Sequence, residues 1–203
     1  MRRFRVLVVS ICLAGPAFAG DLTVSVRDAA GLPVRDAVVT VTPAAGIPRG
    51  PIRFPWALRM TQQDIQFQPY VLIAPVGGTV AFPNLDRVRH QVYSFSRGAR
   101  FELQLYGRDE SRTHTFTSAG VAALGCNIHD QMLAYIKVVD TPWAMKTDPA
   151  GNAVLSDIPA GSATLRVWHP RLAGRGNEIA RTVTVSAAAA RQSVSGDFRA
   201  AVR

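Results

Sequence analysis

Four side chains that bind soft metal ions occur in two short stretches of the sequence. Three of them, Cys126, His129 and Met132, recur at every third residue in the run GCNIHDQM, and His90 lies upstream after the run NLDRVR. A thiolate and two imidazoles, with a thioether as a weak fourth ligand, are the donors of mononuclear copper sites that transfer electrons. The pattern therefore predicts a copper site in which one loop supplies three ligands and another supplies His90.

The mixed donor set suits a metal that changes oxidation state. Cu(I) prefers sulfur and Cu(II) prefers nitrogen, so this set traps neither state. Zinc is less favoured because structural zinc sites use four Cys or His ligands, and a thioether is unusual for that metal. Taken alone, Cys126 would read as a buried structural residue. The joint spacing of the four residues favours the metal site.

Around these residues the sequence resembles the cupredoxins, the family of plastocyanin, azurin and amicyanin. The loop GCNIHDQM has the two-residue gaps of amicyanin-type ligand loops, and VAFPNLD followed by HQVYSF is similar to the strand and turn before the first ligand histidine. The runs HQVYSFS, LGCNIHDQM and YIKVVDTP resemble periplasmic cupredoxin-like proteins often labelled methylamine utilisation proteins. The resemblance implies a Greek-key β-sandwich over residues 61–142, holding one copper ion with His90, Cys126, His129 and Met132. It also implies that electrons leave through the ring edge of His129.

The sequence departs from better-known cupredoxins beside the ligands. Gln91 stands where many members have asparagine, and Asn127-Ile128 replaces a proline-containing interval. Groups around the ligands shift reduction potentials. The resemblance therefore implies the ligand set and not the potential.

The N-terminus has the pattern of a secretory signal peptide. A basic start, an apolar run and the sequence Ala17-Phe18-Ala19 predict removal of residues 1–19 and a periplasmic location. Cys12 would leave with this segment, so Cys126 would be the sole thiol in an oxidising compartment. Metal ligation would account for an unpaired cysteine there; an intermolecular disulfide or simple burial are the alternatives.

The chain is basic, with 23 Lys and Arg against 14 Asp and Glu and a net charge of +9. Loss of three arginines with the signal peptide leaves 20 against 14, or +6. The arginines are scattered, which argues against a nucleic-acid tail. A basic surface favours acidic redox partners, such as a c-type cytochrome or a periplasmic dehydrogenase, although the charge could serve solubility alone.

Enzymatic motifs do not occur in the sequence. It contains no nucleophile elbow, P-loop or His-Glu-x-x-His run. Four protein ligands on copper would also leave no position for a substrate, so we expect an electron carrier and no enzyme. A copper chaperone or storage protein, or a structural β-sandwich with a vestigial site, are the alternative functions.

Both ends of the chain share a second resemblance. Residues 20–45 and 143–203 resemble the two halves of carboxypeptidase regulatory-like domains, in the runs VRDAAGLPVRDA and TDPAGNAVLSDIPAG. A linker rich in proline and glycine, residues 46–60, would join the first half to the copper module. Since nearly every segment alternates with period two, we predict an all-β fold, with the cupredoxin sandwich inserted into or packed beside a second small β-sandwich.

The sequence also predicts secondary features. The module at 61–142 should contain eight strands, the first at residues 64–67. His114 should be a solvated side chain on an exposed strand. His169 is expected to be a structural residue, and contact with the copper module or with a partner is the alternative. Met60 and Met145 should be linker or packing residues.

Overall fold

The computed structural model describes residues 19–200, and these are almost entirely β structure. The predicted all-β class is confirmed, and the only helical segment in this range is the short 3-10 turn Arg175–Asn177. The 16 strands, in chain order, are β1 Ala19–Asp28, β2 Val38–Pro43, β3 Thr61–Gln63, β4 Gln66–Gln68, β5 Val71–Pro75, β6 Thr79–Pro83, β7 His90–Ser94, β8 Phe101–Tyr106, β9 Ser111–Thr115, β10 Gly120–Leu124, β11 Ala134–Val139, β12 Ala144–Lys146, β13 Asn152–Pro159, β14 Gly161–Trp168, β15 Glu178–Val185 and β16 Ala190–Gly196.

Strands from the two ends of the chain form two sheets, which we call the outer unit. One sheet has the order β13-β1-β16, and the other has the order β12-β2-β14-β15. Strand β1 shows why they face each other: Leu22, Val24 and Val26 alternate with more exposed residues and are fully buried. This period-two pattern gives each sheet one apolar face, and the two faces enclose a core that includes Leu155 and Leu165.

The middle of the chain, β3 to β11, forms the inner unit. It contains the sheet β10-β11-β5 and the pairs β3-β4, β6-β9 and β7-β8. Its core is richer in aromatic residues and includes Phe82, Tyr106 and Phe116. Cys126 and Met132 belong to the same core. The predicted ligands therefore lie at the edge of a packed sandwich, which limits how far they can move.

A third cluster of buried residues joins the two units. Val38 and Trp168 from the outer unit pack with Val71, Ile73 and Val139 from the inner unit. Lys146 adds a polar link, since its Nζ donates to the carbonyl oxygen of Val71 at 2.7 Å. We call this cluster the junction. It gives the units a shared apolar contact in addition to their two chain connections.

The structure corrects several local predictions. The segment 64–67 is only partly a strand, because Asp64 and Ile65 form the turn between β3 and β4, and the second half of the segment, residues 66–67, belongs to β4. His114 is half-buried and stacks on Phe101 with ring centroids 4.1 Å apart, so the prediction of a solvated side chain is wrong. Met60 is fully buried in the inner core and is a packing residue.

The predicted signal peptide lies outside the described residues, apart from Ala19 at the start of β1. Cys12 also falls in that undescribed segment. Within residues 19–200, no helix is long and apolar enough to span a membrane.

The interleaved domain boundaries stay a prediction. Cutting the chain in the exposed segment 44–50 tests them. We expect a protease site inserted after Gly50 to be cleaved without release of the N-terminal piece, because β1 and β2 each lie between two other strands of the outer unit. Size-exclusion chromatography of the nicked protein, followed by denaturing electrophoresis, should show both pieces in one peak. An N-terminal piece that elutes by itself would refute the interleaving.

Candidate metal centre

The predicted ligands lie near the ends of three strands. His90 is the first residue of β7 and pairs with Tyr106 of β8. Cys126 follows the end of β10 by two residues, and Met132 precedes β11 by two residues. The loop between β10 and β11 thus carries Cys126, His129 and Met132, as the spacing predicts.

Three of the four predicted ligands form a compact group. The ligand atoms of His90, Cys126 and His129 all lie within 4.8 Å of one another. The Sγ atom of Cys126 is 3.8 Å from Nδ1 of His90 and 3.9 Å from Nδ1 of His129. A trigonal metal with bonds of about 2.0 Å to nitrogen and 2.3 Å to sulfur would separate these donors by about 3.7 Å. The two sulfur–nitrogen separations therefore fit a metal ion bound by the thiolate and both imidazoles.

Burial differs among the four residues. Within the part of the chain that the structure describes, His90 is 0% exposed and Cys126 and Met132 are each 1% exposed, whereas His129 is partly exposed. The backbone N–H of Met132 donates to the carbonyl oxygen of His129 at 2.9 Å and closes the turn that ends the loop. The assignment of all four residues as ligands stays a prediction.

The imidazole of His90 has a second polar partner on its far side. Its Nε2 lies 2.7 Å from Oδ2 of Asp86, while Nδ1 faces Cys126. Partial burial acts to raise the pKa of Asp86, but hydrogen bonds from His90 and from the backbone N–H groups of Ile65 and Asp64 lower the pKa below its ordinary value. Asp86 is therefore a carboxylate at neutral pH.

Asn84 organises the loop that precedes His90. It is fully buried, and its side-chain N–H₂ donates to the carbonyl oxygens of Val88 at 2.9 Å and Tyr106 at 3.2 Å. Its Oδ1 accepts the backbone N–H of Asp86 at 2.9 Å. Sequence reasoning identified the Asn-x-Asp turn but missed these contacts. The turn itself, with Asn and Asp two residues apart, was the available signal.

A close backbone approach anchors the cysteine loop. Gly125 and Tyr93 exchange backbone hydrogen bonds of 3.0 and 3.1 Å, and the Tyr93 ring lies over the glycine. A Cβ atom at position 125 would lie 2.6 Å from that ring. Glycine therefore allows the residue before Cys126 to pair with β7, which carries His90.

Tyr106, a buried residue of β8, links its strand to neighbouring strands through its hydroxyl group. The Tyr106 hydroxyl donates to the carbonyl oxygen of Phe82 at 2.7 Å and accepts from the side chain of Gln62. Burial raises the pKa of Tyr106 to about 12, so the hydroxyl is neutral and can donate. This ties β8, the partner of β7, to β6.

His114 and His169 lie outside the candidate centre. His169 is 2% exposed and its Nδ1 accepts the backbone N–H of Arg171 at 3.2 Å. Burial, with the nearby Arg171 charge, lowers the pKa of His169 to about 4. Both its contacts and its neutral state agree with a structural role. Met145 lies beside a cleft between the units that also includes Trp56 and Lys146.

Three solved structures illustrate what the chain is similar to. A copper-containing nitrite reductase from Thermus scotoductus SA-01 matches 49% of this chain with 27% identity and a TM-score of 0.40, and the chain spans only 25% of that protein. A purple cupredoxin from Nitrosopumilus maritimus matches 40% of this chain and 98% of its own length, with 22% identity and a TM-score of 0.36. A reduced point mutant of amicyanin matches 51% of this chain and 99% of its own length, with 21% identity and a TM-score of 0.39. No protein-family model and no curated protein matches the sequence.

Proposed function

We propose that this protein is an exported type 1, or blue, copper protein that carries single electrons between redox partners. The convergence of a thiolate and two imidazoles at 3.8 and 3.9 Å is the observation that supports this proposal. Copper in such a set gains or loses one electron. His90, Cys126 and His129 would hold it, and Met132 would be a weak fourth ligand that tunes the potential.

The surrounding structure suits electron transfer. His90 is fixed at the start of a strand, and Cys126 directly follows Gly125, which pairs with Tyr93 of that strand. Packed strand ends hold donors in nearly one arrangement whatever the oxidation state, so little structural reorganisation is needed for each transfer. The buried positions of His90 and Cys126 also keep water from the donors.

His129 would be the exit for electrons because it is the partly exposed member of the group. Ile128, which is 55% exposed, and Leu133, which is 46% exposed, provide apolar surface on the same loop. The net charge, 20 − 14 = +6 once the predicted signal peptide is removed, would favour acidic partners through electrostatic steering. We propose a c-type cytochrome or a periplasmic dehydrogenase as the class of partner.

We also propose that the protein is no enzyme. Four protein ligands, three strong and Met132 weak, would leave no coordination position for a substrate. The nitrite reductase that resembles this chain is an enzyme, but the chain spans a quarter of it. A role in methylamine oxidation rests on the sequence resemblance alone.

Optical, EPR and NMR measurements on protein loaded with Cu(II) test the proposal. We expect an intense visible band, a narrow copper hyperfine splitting and rapid electron self-exchange, seen as line broadening in mixtures of the two oxidation states. Slow exchange with ready release of copper to a chelator would instead indicate a storage or chaperone protein. Absence of copper uptake would indicate a structural β-sandwich with a vestigial site.

A further inference from the structure

We propose that Asp86 is a positioning residue, held in place by the Asp64-Ile65 turn, that fixes which nitrogen of His90 faces the metal. This inference rests on the proposed copper site, which it deepens. It combines three separate parts of the chain: the β3-β4 hairpin, the loop before β7 and the first residue of β7.

The turn between β3 and β4 has an unusual backbone. Asp64 and Ile65 are its two central residues, with φ angles of 56° and 55°. Two-residue hairpin turns with both angles positive normally use Asn-Gly or Asp-Gly. A β-branched residue such as isoleucine is a conformational outlier in this region. Some interaction elsewhere must therefore compensate for the turn.

The carboxylate of Asp86 supplies that interaction. Oδ1 accepts the backbone N–H of Asp64 at 2.7 Å, and Oδ2 accepts the backbone N–H of Ile65 at 3.0 Å. Successive N–H groups that point the same way form an anion-binding concavity. The turn thus fixes both oxygens of Asp86, which lies on a loop and has no strand to hold it.

The same Oδ2 atom faces Nε2 of His90 at 2.7 Å. Because this oxygen has no proton to give, Nε2 must carry the proton, and the lone pair of a neutral ring is then on Nδ1. Nδ1 is the atom that lies 3.8 Å from the Cys126 sulfur. Partners on the far ring nitrogen set the tautomer and orientation of metal-binding histidines. The hairpin turn therefore acts on His90 through Asp86.

Asparagine at position 86 would be a poor substitute. The carboxylate accepts three hydrogen bonds through two oxygens, whereas an amide would place its N–H₂ group against a backbone N–H or against His90. Asp86→Asn should therefore disturb these three hydrogen bonds while changing the volume of the side chain little. Asp109 offers a matched control, since it also lies on a loop but has a side chain that is 78% exposed.

The test measures copper affinity by chelator competition for wild type, Asp86→Ala, Asp86→Asn and Asp109→Asn. We expect both Asp86 variants to bind copper about 10- to 100-fold more weakly, the usual cost of removing such a partner. Asp109→Asn should bind as wild type does. Wild-type affinity in Asp86→Ala would overturn the proposal.

A second variant separates positioning from fold stability. Ile65→Gly removes the backbone strain and keeps the N–H group, so the double variant Ile65→Gly/Asp86→Ala should recover thermal stability relative to Asp86→Ala. It should keep the weakened copper affinity. Recovery of affinity together with stability would show that Asp86 acts on the fold only.

The metal-free protein distinguishes failure of this inference from failure of the proposed function. The ¹⁵N shifts of His90 should show the Nε2–H tautomer in wild type, and that signature should be lost in Asp86→Ala. If wild type shows the tautomer but forms no copper–thiolate site, the proposed function fails and the positioning role of Asp86 stands. If the tautomer is the same in both proteins, the positioning role fails.

Discussion

Replacing Cys126 by serine is expected to abolish the intense visible absorption of the copper-loaded protein. The absorption would arise from the thiolate, and a serine hydroxyl keeps its proton at neutral pH and binds soft metals poorly. Any Cu(II) left at the site should give a weak spectrum with ordinary hyperfine splitting. Optical and EPR spectra of the two proteins, prepared side by side with one equivalent of Cu(II), measure the difference.

The same substitution should leave the fold intact. Cys126 is 1% exposed, and a buried hydroxyl without a good partner costs about 1–3 kcal/mol of unfolding free energy. His169→Asn is the matched control, because it alters a buried histidine away from the centre and can keep an acceptor for the Arg171 N–H. This control should keep the visible band. An unchanged band in Cys126→Ser would refute the assignment of the thiolate as a ligand.

Reactivity of the thiol gives an independent check on the same ligand. Cys126 is the one cysteine within residues 19–200, and it is unpaired. A bound metal ion would occupy its sulfur, so we expect a thiol reagent to modify it much more slowly once copper is present. Equal rates with and without copper would contradict ligation by Cys126.

Residue types and spacing were enough to predict that His90, Cys126 and His129 converge. Cys126 and His129 lie three residues apart on one loop, so local sequence fixes their proximity once the strands on either side are recognised. His90 could be placed because it follows a strand and a turn. The alternating pattern of β1, with Leu22, Val24 and Val26 inside, is the same kind of local signal and led to the all-β prediction.

Features that depend on distant contacts were not predictable. Residues 64–67 looked like a strand because Ile65 and Phe67 alternate with polar residues, and no glycine marks the turn. Asp86, far along the chain, stabilises the turn by accepting its two N–H groups. His114 likewise looked exposed from its own strand, but Phe101, from another pair of strands, stacks on its ring. In both cases a non-local partner outweighed the local pattern.

Replacing Trp168 by alanine should strongly lower the free energy of unfolding and weaken the contact between the two units. Trp168 is 3% exposed and fills the junction, where its ring meets Tyr135 edge to face at 5.9 Å. Loss of a buried tryptophan costs about 3–5 kcal/mol of unfolding free energy. Because the lost contacts join the two units, we expect one calorimetric transition in wild type and two in Trp168→Ala.

The effect of copper on each melting temperature tests whether loss of Trp168 uncouples the unfolding of the two units. A ligand stabilises whatever unfolds together with its binding site, so copper should raise the melting temperature of the whole wild-type protein. In Trp168→Ala it should raise only the transition of the inner unit. Trp143→Ala is the control, because Trp143 packs in the outer core and leaves the junction intact. Copper should still stabilise both units in this control; if it stabilises both units in Trp168→Ala as well, Trp168 does not couple them.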